Sequence, residues 1–180
     1  MVISHPDSYT EGVRLLLLAS RPKDGAPKAR RTTRVSNNSK HFHLMLEELN
    51  KMKEPNDRIY VSLSQRDILK ASRLFRHKLV EADYGPTPKD FYKNIHNHWV
   101  SCLMVKESTL KEDKLWMFDC DSQVEYQDLW VALFDLQIPI HYQYATKNGV
   151  HVVVKPFNRT LIDKRYLDIL SDNPLILWSY

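Results

Sequence analysis

Asn148-Gly149 stands between two stretches that read as strands, Ile138 to Ala145 and Val150 to Lys155. Both turn residues tolerate positive φ, so the pair is a strong hairpin signal. A hairpin joins antiparallel neighbours, whereas parallel strands need a long crossover. The pair therefore argues against a doubly wound parallel sheet.

Other apolar runs read as strands too: Val13 to Ala19, Ile59 to Leu63, Trp99 to Val105, Leu115 to Asp121 and Leu175 to Tyr180. Helical periodicity lies between them. Phe42, Met45, Leu46, Leu49 and Met52 form a stripe on a helix opened by Ser39. Ser64 with Asp67 resembles a capping box, and Ile68, Ala71, Phe75, Leu79 and Ala82 follow as a second stripe. Asp90 to His98 and Arg159 to Leu170 read as further helices. Val124 to Leu136 reads as one more, with Tyr126, Leu129, Trp130, Leu133 and Phe134 facing inward. The fold class expected is α+β: a mixed, largely antiparallel sheet covered by helices.

At 180 residues the chain fits one domain with a proper core. Hydrophobic residues make up 43% and charged residues 27%, which argues against global disorder. A net charge of +4 permits a polyanionic partner without requiring one. Residues 21–38 read as a basic loop, with Lys28, Arg30, Arg31 and Arg34. Arg66, Lys70, Arg73 and His77 read as a basic helix stripe. Both segments are candidates for nucleic-acid contact. Cys102 and Cys120 form no disulfide framework or zinc spacing and read as reduced core thiols of a cytoplasmic protein. Leu15 to Leu18 is too short for a signal core or a membrane span.

Two short motifs carry the chemistry. Phe118-Asp119-Cys120-Asp121 ends an apolar run; Lys147-Asn148-Gly149-Val150-His151 opens another. On a strand, residues i and i+2 share a face. Asp119 and Asp121 would sit side by side, with Cys120 turned into the core. Adjacent carboxylates repel, and a divalent cation removes that cost while creating a phosphate-handling site. A turn with one cation, exposed amides and an imidazole suits a triphosphate.

Together the motifs resemble the catalytic core of archaeo-eukaryotic-type primases and primase-polymerases. That family carries acid-x-acid on one strand and small residue-x-His on a later one, after a basic, glycine-containing turn. Asp119-Cys120-Asp121 matches the first, and Gly149-Val150-His151 the second, with Lys147 at the basic position. The resemblance covers roughly residues 115–156 and implies an RRM-like core in a short phage- or plasmid-like replication protein. It implies Mg²⁺ or Mn²⁺ on Asp119 and Asp121, and His151, Lys147, Asn148 and Gly149 around a nucleotide triphosphate. Template backbone would run along Arg30, Arg31, Arg34, Arg66, Lys70 and Arg73. The family's third acid has three candidates, Asp163, Asp168 and Asp172, of which Asp172 is the best placed, just before Leu175 to Trp178. The activity implied is a metal-dependent nucleotidyltransferase acting with single-stranded or primed nucleic acid, alone or beside a replication partner. The alternatives are a catalytically inactive primase-like binding protein and a metal-dependent nuclease.

Other chemistries find no support. The sequence contains no Gly-x-x-x-x-Gly-Lys loop and no Gly-x-Ser-x-Gly elbow. His41-Phe42-His43 and His96-Asn97-His98 read as helix or loop, where alternate imidazoles do not share a face.

Overall fold

The computed structural model describes residues 12–20, 30–86, 88–146, 149–172 and 174–179. The single domain expected from chain length is built as two compact units. Among the described residues, one comprises the segments from Gly12 to Asp113 together with the C-terminal strand, and the other those from Lys114 to Pro174. Among the described residues no helix is long and apolar enough to cross a membrane.

The first unit is built on β1 (Gly12–Ser20), β2 (Arg30–Ser36), β3 (Arg58–Ser62), β4 (Arg66–Asp67) and β9 (Leu175–Ser179). The sheet order is β2-β1-β3-β9, with β4 pairing the start of β1, and every pairing is antiparallel. Leu15 to Leu18 are all buried on β1. A strand covered on both faces reads as a continuous apolar run. Four helices accompany this sheet: α1 (Ser39–Met52), α2 (Ile68–Asp83), α3 (Pro88–Lys93) and α4 (Ile95–Met104).

Several sequence expectations are corrected here. Part of the basic loop, Arg30–Ser36, is strand β2, paired with β1 from Arg14↔Ser36 to Ser20↔Arg30. Its charges suit an edge strand, where cations discourage further pairing. Residues 21–29 lie outside the described residues. Trp99 to Val105 is not a strand: residues 99–104 belong to α4, which buries Val100, Cys102 and Leu103. A short apolar run fits a buried helix face as well as a strand, and the choice falls to packing. Asn38, not Ser39, caps α1, its side chain accepting from the His41 N–H at 2.7 Å. The cap of α2 is Asp67 rather than Ser64; its carboxylate accepts the Lys70 N–H at 2.9 Å.

The second unit holds β5 (Trp116–Cys120), α5 (Gln123–Asp135), β6 (Ile140–Ala145), β7 (Val150–Val154), α6 (Lys164–Asp168) and β8 (Leu170–Ser171). Its sheet order is β6-β7-β5-β8, again antiparallel throughout. One core cluster contains Trp116, Phe118 and Cys120 of β5, Val152 and Val154 of β7, and Leu129 and Leu133 of α5. Strand alternation then assigns Met117, Asp119, His151 and Val153 to the opposite face. Trp130 and Phe134, expected inward on α5, are 44% and 68% exposed and stack on each other. Arg159 to Leu170 is not one helix: it comprises a 3₁₀ turn, the short α6 and the start of β8.

Cys120 is fully buried, and its thiol is pushed up to about 12, first by burial and then by Glu125, Asp119 and Asp121. An unfolded thiol ionises near 9.0. The stabilising effect of the raised value is complete below that pH and is lost as pH rises through the folded value. Urea unfolding should therefore show stability falling above pH 9, with a slope approaching about 1.4 kcal/mol per pH unit. Cys120→Ala should flatten that limb; an unchanged slope would contradict the assignment.

Candidate functional site

Three adjacent strands bring three polar side chains together. The β5–β7 register sets Asp119 opposite His151, and the β6–β7 register sets Tyr144 opposite the same histidine. Directly opposed residues are close enough for side-chain contact. His151 Nε2 lies 2.7 Å from Asp119 Oδ1, and Nδ1 lies 2.7 Å from the Tyr144 hydroxyl. A carboxylate accepts, so Nε2 carries the proton; in the neutral ring Nδ1 then accepts from Tyr144. The imidazole is pinned at both nitrogens. Its side chain is only 13% exposed, whereas that of Asp119 is 55% exposed. Burial pushes the Tyr144 phenol well above its ordinary range, with Tyr142 and Asp119 adding to the shift. Tyr144 thus remains a neutral hydroxyl at physiological pH.

Asp119 and Asp121 are exposed around the fully buried Cys120. Strand β5 ends at Cys120, so alternation sets Asp119 on the face away from the core, and Asp121 is the exposed residue that follows the strand. Among the described residues the Asp121 carboxylate has no partner. Its backbone is fixed: the Asp121 N–H donates to Glu125 Oε2 at 2.8 Å. The Glu125 N–H donates to Ser122 Oγ at 3.2 Å, which caps α5. This reciprocal arrangement ends the strand and starts the helix within two residues.

Gly149 sits against this turn. A Cβ added there would lie 1.9 Å from the Cys120 carbonyl oxygen and 2.9 Å from the Asp121 carbonyl carbon. The backbone of the histidine motif therefore touches the backbone of the acid motif. Gly149 does not adopt the left-handed conformation. Close approach, rather than positive φ, is what requires glycine here. The turn is closed by the Thr146 N–H donating to the Gly149 carbonyl at 2.8 Å. The Gly149 N–H in turn donates to Thr146 Oγ1 at 3.0 Å. Lys147 and Asn148, expected at the nucleotide, lie outside the described residues.

The third acid expected here, Asp172, is elsewhere. Ser171 pairs with Met117 and Leu170 with Phe118, so the chain runs away from Asp119 as it reaches Asp172. Asp172 meets Arg159 at 3.1 Å, and Arg159 lies over the Trp116 ring at the far end of β5. Among the described residues no three His, Cys, Asp or Glu side chains are grouped to hold a metal.

The basic residues also divide. Arg66 does not join the helix stripe: it lies in β4, opposite Val13, and is 1% exposed. Its Nη1 donates to Thr109 Oγ1 at 2.9 Å. Burial first, then the neighbouring Arg14, lower its value to about 10. A buried guanidinium cannot track a nucleic-acid backbone. Lys70 pairs with Asp67 at 3.2 Å, and Arg73 is exposed on α2. Arg34 forks onto Glu48 at 2.6 and 3.1 Å. Arg31 is exposed on β2; Arg30 belongs to the same strand.

Tyr144 is the site residue that sequence reading missed as a partner of His151. The Asn148-Gly149 signal misplaces the register: a two-residue turn on that pair sets residues opposite when their numbers sum to 297, which puts Tyr144 opposite Val153, whereas the observed pairing is Tyr144↔His151. The pairing of Asp119 with His151 spans 32 residues, and no local pattern encodes it.

Scans against protein-family models, curated proteins and solved structures find no match to this chain.

Proposed function

We propose that Lys114–Pro174 form a nucleotide-handling core of the primase-polymerase type, and that the chain is a metal-dependent nucleotidyltransferase. The observation that carries the reading is the cross-strand meeting of Asp119 and His151, with Asp121 two residues away. Two motifs far apart in sequence converge on one point, as a shared chemistry requires. The topology agrees with an RRM-like core. Elements run strand-helix-strand-strand-helix-strand, and the sheet places the fourth strand beside the first, then the third and second.

Asp119 and Asp121 suit a hard divalent cation: both are exposed carboxylates. Mg²⁺ is often held by one or two carboxylates, with water and substrate phosphates completing its shell. Bound there, it would neutralise triphosphate charge. The protein's own contribution is orientation. Tyr144 and the strand pairing hold the imidazole edge beside Asp119. On nucleotide binding, the Nε2–H would exchange Asp119 for a phosphate oxygen, leaving the carboxylate to the cation. The closed Thr146–Gly149 turn keeps the two motifs in register.

Without a third acid beside this pair among the described residues, a second reading gains ground. The core would bind metal and nucleotide without extending a primer. Calorimetric titration with each nucleoside triphosphate plus Mn²⁺ tests the shared claim, and template-directed incorporation separates the two readings. Wild type should give binding heat, and Asp119→Asn with Asp121→Asn should abolish it. Silence with every triphosphate would remove both.

A further inference from the structure

A polar groove in the first unit lies along β2 and α4, encloses about 490 Å³, and among the described residues has no carboxylate in its lining. We infer that this groove binds the phosphodiester backbone of a single nucleic-acid strand through Arg31, Lys78 and the polar face of α4.

Arg31 is exposed, and among the described residues no carboxylate pairs with it; its guanidinium meets the Met104 sulfur at 3.0 Å. The strand it stands on is the sheet edge. Thr32 and Thr33 line the same wall, and His96, Asn97 and Ser101 line the other. Lys78 of α2 is not itself in the lining, but its ammonium donates at 3.0 Å to Ser101 Oγ of a lining residue. Arg34 also lines the groove, although Glu48 already neutralises it. Arg31 and Lys78 bring positive charge, and the neutral polar residues of the lining are Thr32, Thr33, His96, Asn97 and Ser101. Such groups serve phosphate oxygens. Apart from the His96 imidazole, no ring lines the groove on which a base would stack. Recognition should therefore be independent of sequence and strongly salt-dependent.

The inference rests on the reading above only for the use of the strand as a template. The groove and the Asp119–His151 site belong to different compact units, so each can be disabled alone.

The test uses the full chain in EDTA, with a fluorescent oligodeoxythymidylate read by anisotropy. Arg31→Glu and Lys78→Glu should each weaken binding roughly tenfold at about 50 mM salt. The double neutral variant, Arg31→Gln with Lys78→Gln, should lower the slope of log K against log salt by about 1.4. Asp119→Asn should leave oligonucleotide affinity unchanged while losing the Mn²⁺–triphosphate heat. Unchanged affinity in folded Arg31→Glu and Lys78→Glu variants would overturn the inference. So would displacement of the oligonucleotide by inorganic phosphate at equal phosphate concentration, because the groove would then be a site for the free anion. Loss of triphosphate binding in wild type with oligonucleotide binding intact would sink the nucleotidyltransferase reading and leave the groove standing.

Discussion

Gly149→Ala is expected to lower stability by about 3 kcal/mol, at the upper end of overpacking costs. The added methyl would meet the Cys120 carbonyl oxygen at 1.9 Å, and that oxygen belongs to backbone. No rotamer change relieves such a contact. The first pair of β5 and β7, Cys120↔Val150, has to open instead. That movement strains the Asp119–His151 contact one residue further along. In a unit of this size the melting transition should fall by more than about 10 °C. Thermal unfolding followed by circular dichroism measures it. The same variant should lose Mn²⁺–triphosphate binding at temperatures where it is still folded. A fully stable Gly149→Ala would mean that the two motifs do not touch.

His151→Ala is expected to weaken triphosphate binding by about 1.5–3 kcal/mol, the range for a hydrogen bond to a charged group. That corresponds to about 10–150-fold in Kd. Mn²⁺ stabilisation should persist, because Asp119 loses a competitor for its oxygen rather than a support. Truncation also strands the partly buried Tyr144 hydroxyl, so stability should fall as well. Tyr144→Phe separates the two effects. It keeps the ring and the strand, removes the hydroxyl's bond to Nδ1 and its weaker contact with the Met117 sulfur at 3.7 Å, and should reduce nucleotide affinity less than His151→Ala does. Calorimetry on both variants decides. A lower melting temperature with unchanged affinity in both would reduce the histidine to a strand staple.

The two units were legible to different degrees. Helix α1 runs from Ser39 to Met52 as its stripe predicts, since Phe42 and Leu49 recur at helical spacing and both are buried. Strand β1 contains its apolar run with one residue added at each end, and β5 and β7 lie within theirs. Where the pattern was local and amphipathic, burial followed it. Errors arose where one pattern served two structures. Residues 99–104 satisfy a strand and a helix face equally, and α4 won by packing Val100, Cys102 and Leu103 into the interior. Arg66 looked like part of a solvated stripe, yet β4 pairing carried it inside to Thr109. Trp130 and Phe134 looked like core and lie exposed. Charge and hydropathy record a residue's cost of burial, not whether another element arrives to cover it.

The sequence by itself determined that Asp119 turns away from a core-facing Cys120, because period two in a strand sets neighbours on opposite faces. It also determined that the strands on either side of Asn148-Gly149 are antiparallel neighbours, while the register that sets Tyr144 opposite His151 came from the structure. Only the tertiary structure decided that β7 lies beside β5, which joins Asp119 to His151, and that β8 carries Asp172 away from them. It alone set Arg31 and His96 across one groove. The physical reason is reach. Side-chain periodicity acts over a few residues, whereas strand order depends on which distant apolar faces bury each other, and the chemistry assembles where those strands meet.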